Sequence, residues 1–240
     1  MTPSTDTTAT TDTTGSATAA AGGRAARRTS ETLGQAARRF WGHASPRLLA
    51  AMFLGSLAAR LAVGDWHAND AVLVGVLLAI QPLSEWLIHV FILHWRPRRL
   101  GRVTIDHILA RKHREHHADP TDPDLVFIPT PALLVLIPVM AMAVLAFPRT
   151  GLGLTWLLTQ ATIGLIYEWA HFLVHSDVSP RSRLFRSIWR HHRLHHYKNE
   201  HYWFAISATW PDHLLRTSPQ PSEVATSPTV RALHASTEVG

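Results

Sequence analysis

The chain has 240 residues, 17 histidines, no cysteine and a formal net charge of +6. Without thiols there can be no disulfides, thiolate-held iron–sulfur clusters or Cys-type zinc sites, so any metal must be held by imidazole or carboxylate. The positive charge does not mark a nucleic-acid binder, because the basic residues flank long apolar runs and form no free arm.

Residues 1–40 open with Thr, Ser, Ala, Asp and Gly and are read as a disordered tail. Residues 217–240 have a similar composition and receive the same reading. Between them, 41–216 are too apolar for a soluble domain and form a membrane domain. A secretory signal is not expected, since the first apolar run begins near Leu48, behind a basic stretch.

Four segments approach the roughly 20 residues that a helix needs to cross a bilayer: 48–64, 71–93, 125–147 and 152–175. The second and fourth are the clearest. The first contains Arg60, expected to snorkel to the far interface. The third carries Pro129, Pro131 and Pro138, which fits either a kinked crossing or a re-entrant hairpin. Arg24, Arg27, Arg28, Arg38, Arg39 and Arg47 precede the first span, and Arg96, Arg98, Arg99, Arg102, Arg111, Lys112 and Arg114 follow the second. Loop 65–70 has no Lys or Arg, the turn after the third span has only Arg149, and basic residues return from Arg181 to Arg216. This alternation assigns both termini and the long middle loop to the cytoplasm. Trp41, Trp66 and Trp95 sit near span ends, where interfacial aromatics belong.

Ten histidines form four clusters: His89 and His94 at the end of the second span; His113, His116 and His117; His171 and His175 at the end of the fourth span; and His192, His195 and His196. Two crossings separate the second cluster from the third, so all four fall on the cytoplasmic side. On a helix, positions i, i+3 and i+4 share a face, so each HxxHH block projects three imidazoles one way. His89 and His94 stand about 140° apart on an ideal helix of 3.6 residues per turn, and need either a frayed helix end or two different metals. Ile105 and Leu109 lead into the second cluster, and Phe185 and Trp189 into the fourth. Both segments read as amphipathic helices on the membrane surface with imidazoles facing inward.

Glu85 and Glu168 lie within a helical turn of His89 and His171, as candidates to accept the second N–H of a ligating ring or to bind metal themselves. His43, His67, His107 and His234 read as polar residues near headgroups, while His191, His201 and His213 neighbour the fourth cluster closely enough to be considered with it. Trp86, Trp169 and Trp203 fit either an acyl channel or ordinary helix packing. Ten imidazoles exceed what one ion takes and suit two ions with about five each. Imidazole accepts zinc, copper, iron or nickel, so ligand type does not choose the metal. A redox metal with open positions at a membrane face can activate oxygen against lipid C–H bonds.

In order and spacing, HxxxxH, HxxHH, HxxxH and HxxHH resemble the histidine signature of the fatty acid hydroxylase and sterol desaturase superfamily. The stretch 191–217, HHRLHHYKNEHYWFAISATWPDHLLRT, resembles its C-terminal signature. The resemblance covers 83–217. It implies an all-α integral membrane protein: four spans beneath a cytosolic helical cap that holds a dimetal site. His89, His94, His113, His116, His117, His171, His175, His192, His195 and His196 would be the ligands of two iron ions, with zinc able to replace iron during purification. Glu85, Glu168, His201 and Asp212 would stand behind them, although His201 and Pro211-Asp212-His213 fall where many members show other residues. The implied activity is hydroxylation of a lipid, foremost a fatty-acyl chain, with O2 and electrons from a separate donor protein, since no HPGG haem-binding motif is present. The HDGLVH box of carotenoid hydroxylases is also missing. Desaturation on the same site is the enzymatic alternative. A membrane metal transporter or metal-binding protein is the alternative of another class.

Overall fold

The computed structural model describes residues 30–234, so the expectations for 1–29 and 235–240 lie outside the described residues. Part of the expected N-terminal tail is a helix, α1 (Leu33–Phe40). Thr32 and Gln35 close a reciprocal capping box at its start. Phe40 anchors α1 against Phe127, Trp169 and Phe172, with ring centroids 5.0–5.8 Å away.

Next come α2 (Ala44–Val63) and α3 (Ala68–Ile88), the latter running into a π-helical turn, His89–Leu93. A hairpin that helical periodicity did not suggest follows: β1 (Arg98–Leu100) pairs antiparallel with β2 (Val103–Ile105). Gly101, at φ 60°, supplies the positive φ that a two-residue hairpin turn requires. Ile105 therefore belongs to a strand, not to the helix leading into the second cluster; the fold is mostly helical, as expected, with these two short strands added. Helix α4 (Ile108–Ala118) begins where His107 Nδ1 accepts the Ala110 N–H at 3.3 Å.

The proline-rich third segment is one interrupted element. It comprises α5 (Pro123–Val126), an extended break at 127–129, α6 (Thr130–Ala143) and a 3-10 turn, Val144–Ala146. Pro129 and Pro131 sit at the start of α6, where a missing N–H costs nothing. The chain continues into α7 (Thr150–His175), α8 (Arg183–Tyr197) and the short α9 (Trp210–Leu214).

Among the described residues, three stretches are long and apolar enough to cross a membrane: Ala44–Val63, Ala68–Leu93 and Pro123–Ala146. They carry apolar side chains on outward faces, among them Val72, Val76 and Phe91 on the second and Val135, Val139 and Met142 on the third. Such continuous exposed apolar surface belongs against lipid. Helix α7 is not one of the three, although its 26 residues span roughly 39 Å. It is the buried centre of the bundle, and its hydroxyls are satisfied internally: Thr159 and Thr162 bond the carbonyls of Thr155 and Leu158 at 2.7 and 2.8 Å. Close packing there depends on glycine. A Cβ at Gly153 would lie 2.7 Å from the Val144 carbonyl oxygen.

Arg60 does not snorkel. It is fully buried, stacked 3.5 Å over the Trp66 ring, and donates to Thr155 Oγ1 at 2.8 Å. Its guanidinium pairs with Asp70 at 3.3 Å and also reaches the backbone carbonyls of Gly64 and Asp65. Asp70 in turn accepts the Thr155 hydroxyl at 2.6 Å. This clamp ties the starts of α3 and α7 to the end of α2.

Residues 217–234 are not the disordered tail expected from composition. Ser227 N–H donates to the Lys198 carbonyl at 2.8 Å, Trp203 N–H to the Thr217 carbonyl at 2.8 Å, and Val230 and Leu233 are buried.

Removing one partner from a buried pair strands the other charge. Arg60→Ala is therefore expected to destabilise the chain by about 3–5 kcal/mol, read as a lower denaturation midpoint in detergent. An unchanged midpoint would show that the clamp is dispensable.

Candidate metal centre

All ten clustered histidines converge in the structure, in two groups of five whose ligand atoms lie within 4.8 Å of one another. The first group is His89, His94, His113, His117 and His195; the second is His116, His171, His175, His192 and His196. The groups adjoin, with the His117 and His196 ring centroids 4.2 Å apart.

Local geometry explains the division. Each HxxHH block is split, because i+4 lies about 40° to one side of residue i and i+3 about 60° to the other, at 3.6 residues per turn. His113 and His117 thus serve one group while His116 serves the other. On α8, His192 and His196 serve the second group and His195 the first. The expectation that each block would aim three rings at one point is corrected accordingly. His171 and His175, spaced i, i+4, stay together. His89 and His94 also stay together, because the π turn closes with a His94 N–H to His89 carbonyl bond at 3.0 Å. That widened turn brings residues five apart onto one side.

Within the first group, Nε2 atoms meet at 3.1 Å (His89 with His113, His117 with His195) and 3.2 Å (His94 with His195). In the second, His192 Nε2 lies 3.1, 3.0 and 2.9 Å from the Nε2 atoms of His171, His175 and His196. Two nitrogen ligands at 2.0–2.1 Å from one ion and about 90° apart are separated by about 2.9 Å, so the donor sets fit a metal ion in each group. No carboxylate belongs to either group. Burial holds the cap rings of His113, His116, His192, His195 and His196 well below the usual histidine range, and neighbouring imidazoles add to the effect. His117 is lowered to about 3, chiefly by burial. These rings are neutral near pH 7, the form that binds metal.

The groups behind the rings differ from those expected. Glu85 bonds no histidine; it accepts Ser207 N–H at 3.0 Å and Gln81 Nε2 at 3.1 Å. Glu168 accepts Ser45 Oγ at 2.8 Å and Ile128 N–H at 2.7 Å. The ring partners are backbone carbonyls instead: Phe204 for His89 Nδ1 at 2.5 Å, Tyr202 for His195 Nδ1 at 2.8 Å, and Val230 for His117 Nδ1 at 3.1 Å. Sequence reading missed these because every residue offers the same carbonyl.

Asp212 is fully buried and acts one step further out. It accepts the N–H groups of Phe204 and Ala205 at 3.0 and 2.8 Å, the Thr217 hydroxyl at 2.6 Å and the Trp86 indole N–H at 3.1 Å. It thereby fixes the loop whose Phe204 carbonyl orients His89. His201 is exposed beside Glu200, at 3.4 Å, and touches no clustered ring. His191 pairs with Ser218 Oγ at 3.0 Å and faces His213, away from both groups. His43 and His67 lie against Asp124 and Asp65. His234, read from sequence as a bystander, contacts the His94 carbonyl oxygen through Nε2 at 3.0 Å. Trp203 and Trp169 pack in the protein interior. A cavity of about 940 Å³ opens beside His94, between Val90 and Phe204 on one side and Glu200, Thr229 and Leu233 on the other.

The fold and site define a membrane-associated helical protein with ten histidines gathered in two groups that could each hold a metal ion. The family model for fatty acid hydroxylase matches residues 74–217. The chain belongs to the fatty acid hydroxylase family. Fatty acid 2-hydroxylase of Rattus norvegicus is 27% identical over 154 residues, covering 62% of this chain and 40% of that protein. The Homo sapiens fatty acid 2-hydroxylase is 29% identical over 138 residues, 56% of this chain and 36% of its own length. Dihydroceramide fatty acyl 2-hydroxylase FAH2 of Arabidopsis thaliana is 26% identical over 153 residues, 61% of this chain and 62% of that one. The match therefore spans about 40% or less of the fatty acid 2-hydroxylases compared here. The solved structure of full-length scs7p, in which only the hydroxylase domain is visible, shares the fold with a TM-score of 0.63 at 19% identity. It covers 78% of this chain and 69% of that one.

Asp212→Ala should release the Phe204 loop and weaken metal binding by about 10–100-fold, the usual cost of losing an outer partner. Competition against a chelator would measure it. An unchanged affinity would show that the loop holds His89 without Asp212.

Proposed function

We propose that this protein is a membrane-bound di-iron oxygenase that hydroxylates a lipid, with a fatty-acyl chain as substrate. The observation that carries this reading is the two adjoining five-histidine groups, all imidazole, in a member of the fatty acid hydroxylase family. The relatives' hydroxylase names support the reaction class. All ten clustered histidines serve as ligands, five to each iron. Bound iron would activate O2, the oxidant, so that with two electrons and two protons C–H becomes C–OH and one water is released.

The chain's own residues hold, orient and dry that site. The π turn, α4, α7 and α8 present the rings, and the carbonyls of Tyr202, Phe204 and Val230 set their tautomers. Trp203, Phe204 and Ile206, all buried, keep water from the first group. The cavity beside His94 admits a substrate to one edge of the cradle. Electrons come from a separate donor protein. The alternation of basic loops supports four crossings, with α7 the fourth, and a cytoplasmic side for both termini and the metal site. Transport is disfavoured because the rings sit at helix ends and in the cap helices, while transporters bind their cargo near the midplane.

Untargeted lipid mass spectrometry on cells expressing the intact chain should reveal a lipid class that gains one oxygen atom. The gain should vanish with His195→Ala or His116→Ala while either variant remains in the membrane fraction. Full turnover by either variant would remove it from the ligand set. A loss of two hydrogens in place of the oxygen gain would establish desaturation instead.

A further inference from the structure

The two histidine groups are not held alike, and half of the restraints that make the difference come from a segment beyond the family match. In the first group three rings have Nδ1 against a backbone carbonyl, and His234 fastens the backbone of a fourth, His94. In the second, Nδ1 of His171, His192 and His196 and both ring nitrogens of His116 are buried without a partner. The carbonyls of Val126 and Pro120 lie near His171 and His175, but His171 Nδ1 makes no bond of hydrogen-bond geometry.

Two of the first group's restraints come from residues 218–234: the Val230 carbonyl on His117 and the His234 ring on the His94 carbonyl. The segment is itself anchored. Ser227 N–H bonds the Lys198 carbonyl at 2.8 Å, Asn199 Nδ2 bonds the Ala225 carbonyl at 3.2 Å, and the Ser227 and Thr229 hydroxyls both reach the buried Glu200 carboxylate. Val230 and Leu233 are buried, so the segment is packed as well as tethered.

We propose that residues 218–234 are a positioning strap for the first histidine group, and that they make the two metal positions unequal, the first binding more tightly. The inference rests on the reading that the ten rings ligate metal. Its physical basis is pre-organisation. A ring whose Nδ1–H is held by a carbonyl keeps its Nε2 lone pair turned to the metal, and ordering it beforehand removes that cost from binding. Helix α4 fixes the Cα of His117 but not its ring; the Val230 carbonyl fixes the ring. The His94 carbonyl lies at the end of the π turn, where helix bonding stops, and His234 ties that end down.

The test uses the purified full chain in detergent, stripped with a chelator and titrated with Zn(II), with bound metal counted per chain. Wild type should bind two ions in two resolved steps. His171→Ala, which breaks the second group, should keep the tighter step, and His113→Ala the weaker one. Removing 229–240 should then lower affinity about 10–100-fold in the His171→Ala background and leave the His113→Ala background unchanged. His234→Ala, a milder change that keeps the strap's anchors, should lower only the same step. Equal losses in both backgrounds, whether from general unfolding or from a shared role, would overturn the strap assignment, as would no loss in either. Failure of the wild-type chain to bind any metal would instead overturn the ligand reading itself.

Discussion

Ten imidazoles, with no carboxylate among them, converge on two points in a buried chamber. Nine of the Nε2 atoms lie 2.9–3.2 Å from another Nε2, and that of His192 faces three at once, more than one ring nitrogen can pair with. A lone pair needs a donor, and rings that all present acceptors need a shared cation. Burial enforces neutrality on the cap rings, so the chamber does not resolve the conflict by protonation. The directions of the π turn, α4, α7 and α8 are all set by this convergence.

Holding the rings to fractions of an ångström requires the long helices to be fixed lengthwise, and the membrane offers no help with that. Apolar side chains slide past one another with little preference for register. The Arg60–Asp70–Thr155 clamp supplies it from the opposite end of the bundle. His89 lies nineteen residues beyond Asp70 and His171 sixteen beyond Thr155, or roughly 28 and 24 Å of helix. Fixing both starts sets both ends. At the near end Ser45, Glu168 and Ile128 form a second tie between α2, α7 and the break before α6. Beside the first tie, Gly153, two residues before Thr155, lets α7 approach the Val144 turn closely enough to occupy the centre.

What was legible in the sequence follows a physical line. The HxxHH blocks could be read because a helix repeats every 3.6 residues and the rings lie within that repeat. The pairing of His89 with His94 could not, since a π turn is a departure from that repeat with no residue signature of its own. The hairpin of β1 and β2 escaped because all six of its residues are exposed, so no alternation of burial marks it. Segment 218–234 looked disordered because it has few apolar residues; its order comes from backbone bonds to a site already assembled, which composition does not record. The basic-loop alternation and the four-cluster layout were legible because both depend on composition at fixed spacings.

The choice of carbonyls over carboxylates behind the rings bears on the chemistry. A carboxylate that accepts a ligand's N–H pushes charge into the ring and makes it a stronger donor; a carbonyl orients the same ring with less of that effect. The first group is therefore built for fixed geometry with weakly donating ligands, leaving more positive charge on a bound metal than a carboxylate-backed site would. The buried carboxylates, Glu85, Glu168, Glu200 and Asp212, are one layer further out, where each accepts N–H or O–H groups from the loops and helix ends around the rings. They stay close to the cradle without entering the ligand set. Orienting the rings, done by backbone carbonyls, and anchoring the loops that carry those carbonyls, done by buried carboxylates such as Asp212, are thus separate tasks performed by different atoms.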